Sequence, residues 1–144
     1  MVYPAGAADL PALTNLALQL WPDHEALSMQ QDLEMLMSRK DVAFFLATDR
    51  QMPIGFAQCQ LRQDYVEGTE SSPVGYLEGI FVADGYRKRG IARALLSACE
   101  CWTKAQGCTE FASDCELSNR ESLKFHLNMG FEEANRIICF TKKL

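Results

Sequence analysis

The spacing of hydrophobic positions changes along this chain, and each change marks an element. Val2-Tyr3 has the character of a short edge strand. From there Leu10, Leu13, Ala17 and Leu20 recur at helical spacing and predict a first helix. Asp9 ahead of Leu10-Pro11 supplies an N-cap with proline in the first turn. Pro22 ends this helix, because it lacks an N–H and restricts Trp21. Ser28-Met29-Gln30-Gln31 reads as a capping box, with Met29, Leu33, Leu36 and Met37 lining a second helix.

The period then shortens. Val42 to Thr48 and Ile54 to Leu61 are apolar runs of strand length separated by turn residues, which predicts an antiparallel hairpin. Arg62 to Pro73 is polar, with Gly68 and Ser71-Ser72-Pro73, and is long for a connection, which favours a functional loop. Val74 to Val82 is a third internal strand, and Asp84 to Gly90 a basic, glycine-bearing turn. Ile91, Leu95, Cys99 and Trp102 form the stripe of a strong helix, with Ala92 and Leu96 beside it and Gly107 at its end. A short strand at Glu110 to Ser113 follows. Ser118 to Glu121 is a second capping box, Ser122 to Met129 a helix closed by Gly130, and Ile137 to Phe140 lies in a final strand. The order β-α-α-β-β-β-α-β-α-β predicts an α+β fold with a mixed, mostly antiparallel sheet flanked by helices.

Length bounds this picture: 144 residues suit one domain, 1–144, since halves of that size would struggle to bury a core. The composition, 48% hydrophobic and 23% charged, argues against disorder. The net charge of -5 disfavours a nucleic-acid partner and suits a cationic substrate. No apolar stretch reaches the ~18 residues of a membrane span, and no secretory signal is visible, so the expected location is cytoplasmic. The six cysteines, Cys59, Cys99, Cys101, Cys108, Cys115 and Cys139, form no C-x-x-C pair. Buried free thiols are expected, ahead of a metal site or a nucleophile.

Arg87-Lys88-Arg89-Gly90-Ile91-Ala92 is the most informative segment. A helix start offers free N–H groups and the positive end of a dipole, and a glycine there lets a phosphate approach the backbone. Three cationic side chains add to this in an otherwise acidic chain, which points to a pyrophosphate. A solvated basic loop is the plainer alternative. The segment lacks the Lys-[Ser/Thr] of a P-loop and the spacing of a dinucleotide fingerprint, which disfavours ATP and NAD.

Arg87-x-x-Gly90-x-Ala92 resembles the [Gln/Arg]-x-x-Gly-x-[Gly/Ala] pyrophosphate loop of the GNAT acetyltransferase superfamily. Its surroundings agree: Tyr76 to Val82 ends just before it, and Asn119-x-x-Ser122-x-x-x-His126-x-x-x-Gly130-Phe131 lies downstream. Leu20-Trp21-Pro22-x-His24, Asp64-Tyr65-Val66-x-Gly68, Ser71-Ser72-Pro73-Val74, Leu77 to Val82 and Ala112-Ser113-Asp114 further resemble the small bacterial aminoglycoside 6′-N-acetyltransferases. The resemblance implies the GNAT acyl-CoA N-acyltransferase fold, acetyl-CoA as co-substrate without a metal, and direct transfer to the 6′-amine of an aminoglycoside, hence antibiotic resistance. It also implies a homodimer, formed through the C-terminal strands. Transfer to another amine (a polyamine or a protein N-terminus) and a non-catalytic acyl-CoA-binding module are the alternatives.

Acetyl transfer needs a held thioester, a neutral amine, a donor to the developing oxyanion and a proton for the leaving thiolate. By resemblance the coenzyme's pantetheine arm lies along Ile80, Phe81 and Val82, with a bulge at Glu78-Gly79 splaying that strand from the next. Arg87, Lys88, Arg89, Gly90, Ile91, Ala92 and Arg93 take the pyrophosphate, and Asn119 contacts the coenzyme arm. Glu78 is the candidate general base and Asp114 a substrate contact; together they line an acidic acceptor cleft. A solvent-facing charge and a turn residue are their plainer readings. Trp21, His24 and Tyr65 map to the substrate walls; core packing is a second reading for Trp21, and a surface turn for His24. The resemblance departs at His126, where many members carry a tyrosine acid; this histidine is either that acid or a core residue. It departs again at Asn135, where relatives place an acidic substrate contact.

Overall fold

The computed structural model describes residues 1–144. In chain order the elements are β1 (Val2–Pro4), a 3-10 turn (Ala7–Asp9), α1 (Leu10–Leu20), α2 (Ala26–Met37), β2 (Val42–Asp49) and β3 (Met52–Arg62). They continue with β4 (Val74–Val82), α3 (Ile91–Ala105), β5 (Phe111–Ala112) and α4 (Arg120–Asn128). The strands form one sheet in the order β1-β2-β3-β4-β5, antiparallel except for the parallel pairing of β4 with β5.

Strand β2 shows why its sequence is a continuous apolar run. Alternate side chains point to opposite faces of a sheet. Phe44 and Leu46 therefore join Leu13, Leu16, Ala17, Met29, Leu33 and Phe56 in a core under α1 and α2. Phe45 and Ala47 face the other way, onto Leu95, Leu96 and Cys99 of α3 together with Ala57, Cys59 and Leu77. Both faces are covered, so neither set is polar. The link from β2 to β3 is the pair Arg50-Gln51, with φ of 48° and 70°, the doubly left-handed backbone that matches the twist of a tight hairpin.

The helix ends refine the expected caps. The α2 helix starts at Ala26 after Glu25, so Ser28 stands inside its first turn and not at the cap. At α4 the cap is Asn119, whose side-chain oxygen accepts the Ser122 N–H at 3.0 Å, one residue beyond the expected Ser118. Asp9 does not cap α1 through its side chain; its carboxylate accepts from the Gly6 N–H at 2.8 Å and the Tyr3 hydroxyl at 3.1 Å. Gly107 and Gly130 do close their helices with φ of 88° and 92°, which only glycine adopts cheaply.

The expected final strand at Ile137 to Phe140 is absent: no regular element follows α4. A strand needs a neighbour to take its backbone hydrogen bonds, and none lies beside this segment. Ile137, Ile138 and Phe140 are 66%, 80% and 87% exposed. All six cysteines are free; Cys59, Cys99 and Cys108 are buried, whereas Cys101, Cys115 and Cys139 are exposed.

Candidate active site

The site is built around an irregularity in β4. Gln58 pairs with Gly79 and its neighbour Cys59 with Leu77, so Glu78 is one residue more than β3 can match, and β4 bulges there as the resemblance implies. Gly79 is required by a second element. A Cβ on it would stand 2.7 Å from the Trp21 ring, which itself packs edge-on against Phe56 with centroids 6.0 Å apart. Beyond the bulge, Ile80, Phe81 and Val82 pair with β3 on one side. On the other side β5 pairs with β4 only at Gly75–Phe111 and Tyr76–Ala112. The remaining edge of β4 has no strand partner, and its N–H and C=O groups face a fork open to an extended ligand.

At the far end of that edge, the turn bends into α3. Gly90 caps the helix with φ of 79°, no side chain caps it, and Ala94 N–H to Gly90 O is the first backbone bond of the helix at 3.0 Å. The N–H groups of Ile91, Ala92 and Arg93 precede that bond and lack helical partners. Lys88 is itself left-handed, with φ of 62°. Arg87, Lys88 and Arg89 are exposed. Arg87 braces the turn, its Nε donating to Val82 O at 2.9 Å and its guanidinium 3.2 Å from Asp84. The turn thus presents free N–H groups among cationic side chains, the donor set an anionic diphosphate needs.

Glu78 and Asp114 belong to one cluster, with two residues between them. Arg62 at the end of β3 donates from Nε and Nη2 to the two Glu78 oxygens, each at 2.8 Å. Its guanidinium lies 3.5 Å above the centre of the Tyr76 ring. The Tyr76 hydroxyl in turn donates to Asp114. Burial, then this hydrogen bond, pushes the Tyr76 phenol well above its ordinary range, so it stays a donor. The hydrogen bonds that Arg62 donates to Glu78 hold its guanidinium firmly protonated.

A separate group sits on the long loop. Tyr65 is 79% exposed, and its hydroxyl donates to Glu67 at 3.3 Å. Asn135 Nδ2 donates to the other Glu67 oxygen at 3.1 Å. Tyr65 and Asn135 are therefore brought together by a carboxylate that the sequence reading did not single out. His24 is exposed in the turn after α1. His126 lies on α4, with Nδ1 2.6 Å from Ser122 O and Nε2 2.7 Å from Ser113 Oγ.

The profile of the acetyltransferase (GNAT) family matches residues 10–131. The chain belongs to the GNAT acetyltransferases. Among similar members is an aminoglycoside N(6′)-acetyltransferase type 1 of Acinetobacter baumannii, 38% identical, with 99% of this chain and 98% of that one aligned. Another, of the same name from Salmonella typhimurium, is 42% identical over 90% of this chain and 89% of its own. Among solved structures, AAC(6′)-Iy in complex with the bisubstrate analogue CoA-S-monomethyl-acetylneamine superposes with a TM-score of 0.96 at 38% identity, covering 100% of this chain and 98% of that one.

In this GNAT fold Arg62, Glu67 and Tyr76 contact candidate site residues without having been singled out in the sequence, and Ser113, quoted there only within Ala112-Ser113-Asp114, lies against His126. Arg62 ends a strand next to a polar loop, and its sequence position carries no sign that it pairs with Glu78. Tyr76 looks like an ordinary strand aromatic. Only the β3–β4 register brings the two into stacking distance. Glu67 had a cue, since it stands two residues from Tyr65 in a long loop.

Proposed function

We propose that this chain is an acetyl-CoA-dependent aminoglycoside 6′-N-acetyltransferase, transferring acetyl directly to the drug's amine with both substrates bound. The observation that carries the reading is the free edge of β4 beyond the Glu78 bulge, set between the α3 turn and an acidic cluster. Acetyl-CoA supplies an activated thioester. The backbone of Ile80, Phe81 and Val82 aligns the acyl arm, and a main-chain N–H near Ile80 polarises its carbonyl. The α3 turn, Arg87 to Arg93, holds the diphosphate, and Asn119 adds a contact to the arm.

On the acceptor side Glu78 and Asp114 attract and orient ammonium groups, with Glu67 beside Tyr65 and Asn135 as a further negative point. Glu78 takes the amine's proton through a water. A carboxylate has about four lone-pair sites, and Arg62 occupies two of them, so Glu78 still accepts from water without releasing Arg62. Trp21 and His24 belong to the walls of the same cleft. We further propose that the protein works in the cytoplasm as a homodimer; the exposed apolar residues Ile137, Ile138 and Phe140 support a surface that a second copy covers. No helix is long and apolar enough to cross a membrane.

The deciding experiment is thiol release with kanamycin or tobramycin, set against an aminoglycoside carrying hydroxyl in place of the 6′-amine. Release with the former alone is expected. Equal release with a polyamine would favour another amine as substrate, and coenzyme binding without release for any amine would favour a non-catalytic binding module.

A further inference from the structure

His126 has no ring nitrogen left for a ligand. A carbonyl oxygen only accepts, so Nδ1, 2.6 Å from Ser122 O, carries a proton. Nε2 is then the variable nitrogen, and it faces Ser113 Oγ at 2.7 Å. In neutral histidine Nε2 accepts from that hydroxyl; in the imidazolium it donates to it. The serine can serve both states, because a hydroxyl is donor and acceptor at once. The edges and faces of Phe125 and Phe131, with centroids 5.5 and 5.1 Å from the ring, hold the imidazole in place. What His126 presents outward is therefore the Ser113 hydroxyl.

Ser113 stands where β5 leaves β4. The last pair of the parallel ladder is Tyr76–Ala112, and Ser113 is the next residue, half-buried at the apex of the fork. Asp114 follows it and is tied to Tyr76, which fixes the backbone on the far side. Ser113 thus stands where the open β4 edge begins, its hydroxyl against an imidazole whose other nitrogen is already anchored.

We infer that Ser113 Oγ is the proton donor to the departing coenzyme sulfur, and that His126 acts through it as the proton reservoir. This rests on the coenzyme arm lying in the β4–β5 fork. As the carbon–sulfur bond breaks, its electron pair stays on sulfur. The Oγ proton passes to sulfur, and the Nε2 proton of the imidazolium passes to Oγ. The products are a neutral thiol, a neutral serine and a neutral imidazole still protonated at Nδ1, which regains its second proton from water.

Three variants test this, Ser113→Ala, Ser113→Thr and His126→Gln, each followed by turnover, by coenzyme A calorimetry and, where the histidine remains, by nitrogen NMR of the imidazole. Ser113→Ala and His126→Gln are expected to lower kcat on the order of 100-fold, the usual share of general acid catalysis, with coenzyme Kd unchanged. Ser113→Thr keeps the hydroxyl and restores most of the turnover. In the unsubstituted protein the Nε2 resonance responds to bound coenzyme A while Nδ1 stays protonated; in Ser113→Ala the Nε2 response is lost. Wild-type turnover in Ser113→Ala with normal coenzyme binding would overturn the relay and leave the cleft standing. Activity lost in step with coenzyme affinity, or not restored by threonine, would reduce Ser113 to a structural contact. Failure of the unsubstituted protein to bind coenzyme A would remove the cleft and the relay together.

Discussion

Arg62 grips Glu78 with both arms of its guanidinium, each nitrogen donating at 2.8 Å to a different carboxylate oxygen across the β3–β4 bulge. The pair is partly exposed, at 37% and 19% for the two side chains, so solvent screens it in part. Its value is geometric: a fork of two parallel bonds fixes the plane of the carboxylate at the β4 bulge.

Two substitutions separate the roles of this pair. Glu78→Gln keeps the shape and removes the proposed base, so turnover is expected to fall by about 100-fold or more while coenzyme A affinity survives. Unchanged turnover would remove Glu78 as the base. Arg62→Ala leaves the carboxylate without two charge-assisted bonds and uncovers the Tyr76 ring, which is expected to cost about 1–2 kcal/mol of stability after allowance for screening. Thermal unfolding of both variants reads the difference.

Gly79 and Trp21 compete for one volume. A methyl at Gly79 would sit 2.7 Å from two carbons of the indole, against the core side of the cleft. Gly79→Ala is expected to destabilise the fold by about 1–3 kcal/mol, the range for overpacking, and to shift the indole fluorescence. Trp21→Phe in the same chain should recover much of that loss. Independent, additive effects in the double variant would show that the ring does not occupy this space.

Gly90 sets the entry to α3. Nothing lies within 4 Å of a Cβ built there, so the penalty of Gly90→Ala is that of the left-handed backbone alone, about 1–2 kcal/mol. The free N–H groups behind it would then shift. The expected result is weaker coenzyme A binding by calorimetry, with KM for the aminoglycoside unchanged.

Glu110 moors the long loop. Its Oε1 accepts the Glu70 N–H at 2.9 Å, the Ser71 N–H at 2.8 Å and the Ser71 hydroxyl. The Ser71 side chain first, then these backbone donors, hold the Glu110 carboxyl below the usual carboxylate range. A depressed carboxyl stabilises the folded form fully above the ordinary glutamate value of about 4.3, and the contribution fades as pH falls through the lower folded value. Amide exchange at Glu70 and Ser71 should therefore be slow above that range and accelerate in stronger acid. In Glu110→Gln the protection should be reduced already at neutral pH and show no such acid step.

Cys115 follows Asp114 and is exposed, and a covalent acetyl-cysteine route would need it. Cys115→Ala is expected to leave turnover intact. Complete loss would favour that route over direct transfer.

The sequence alone determined most of the elements and the glycine-bearing basic turn into α3. Periodicity is a local property: Leu13 and Ala17, or Leu95 and Cys99, meet the core because of their spacing, whatever the partner. The α3 turn was legible for the same reason, since Gly90, its cationic neighbours and the helix start are contiguous in the chain. The cluster that links Glu78 to Asp114 was only partly legible. Glu78 and Asp114 stood out as carboxylates, but Arg62, which joins Glu78 to the Tyr76 ring, has no local mark. They come together through strand register and through the parting of β4 from β5, which are contacts between distant residues. The last strand failed for the mirror-image reason: Ile137 to Phe140 has strand composition, yet a strand exists only where a neighbour takes its hydrogen bonds, and the tertiary structure places none there.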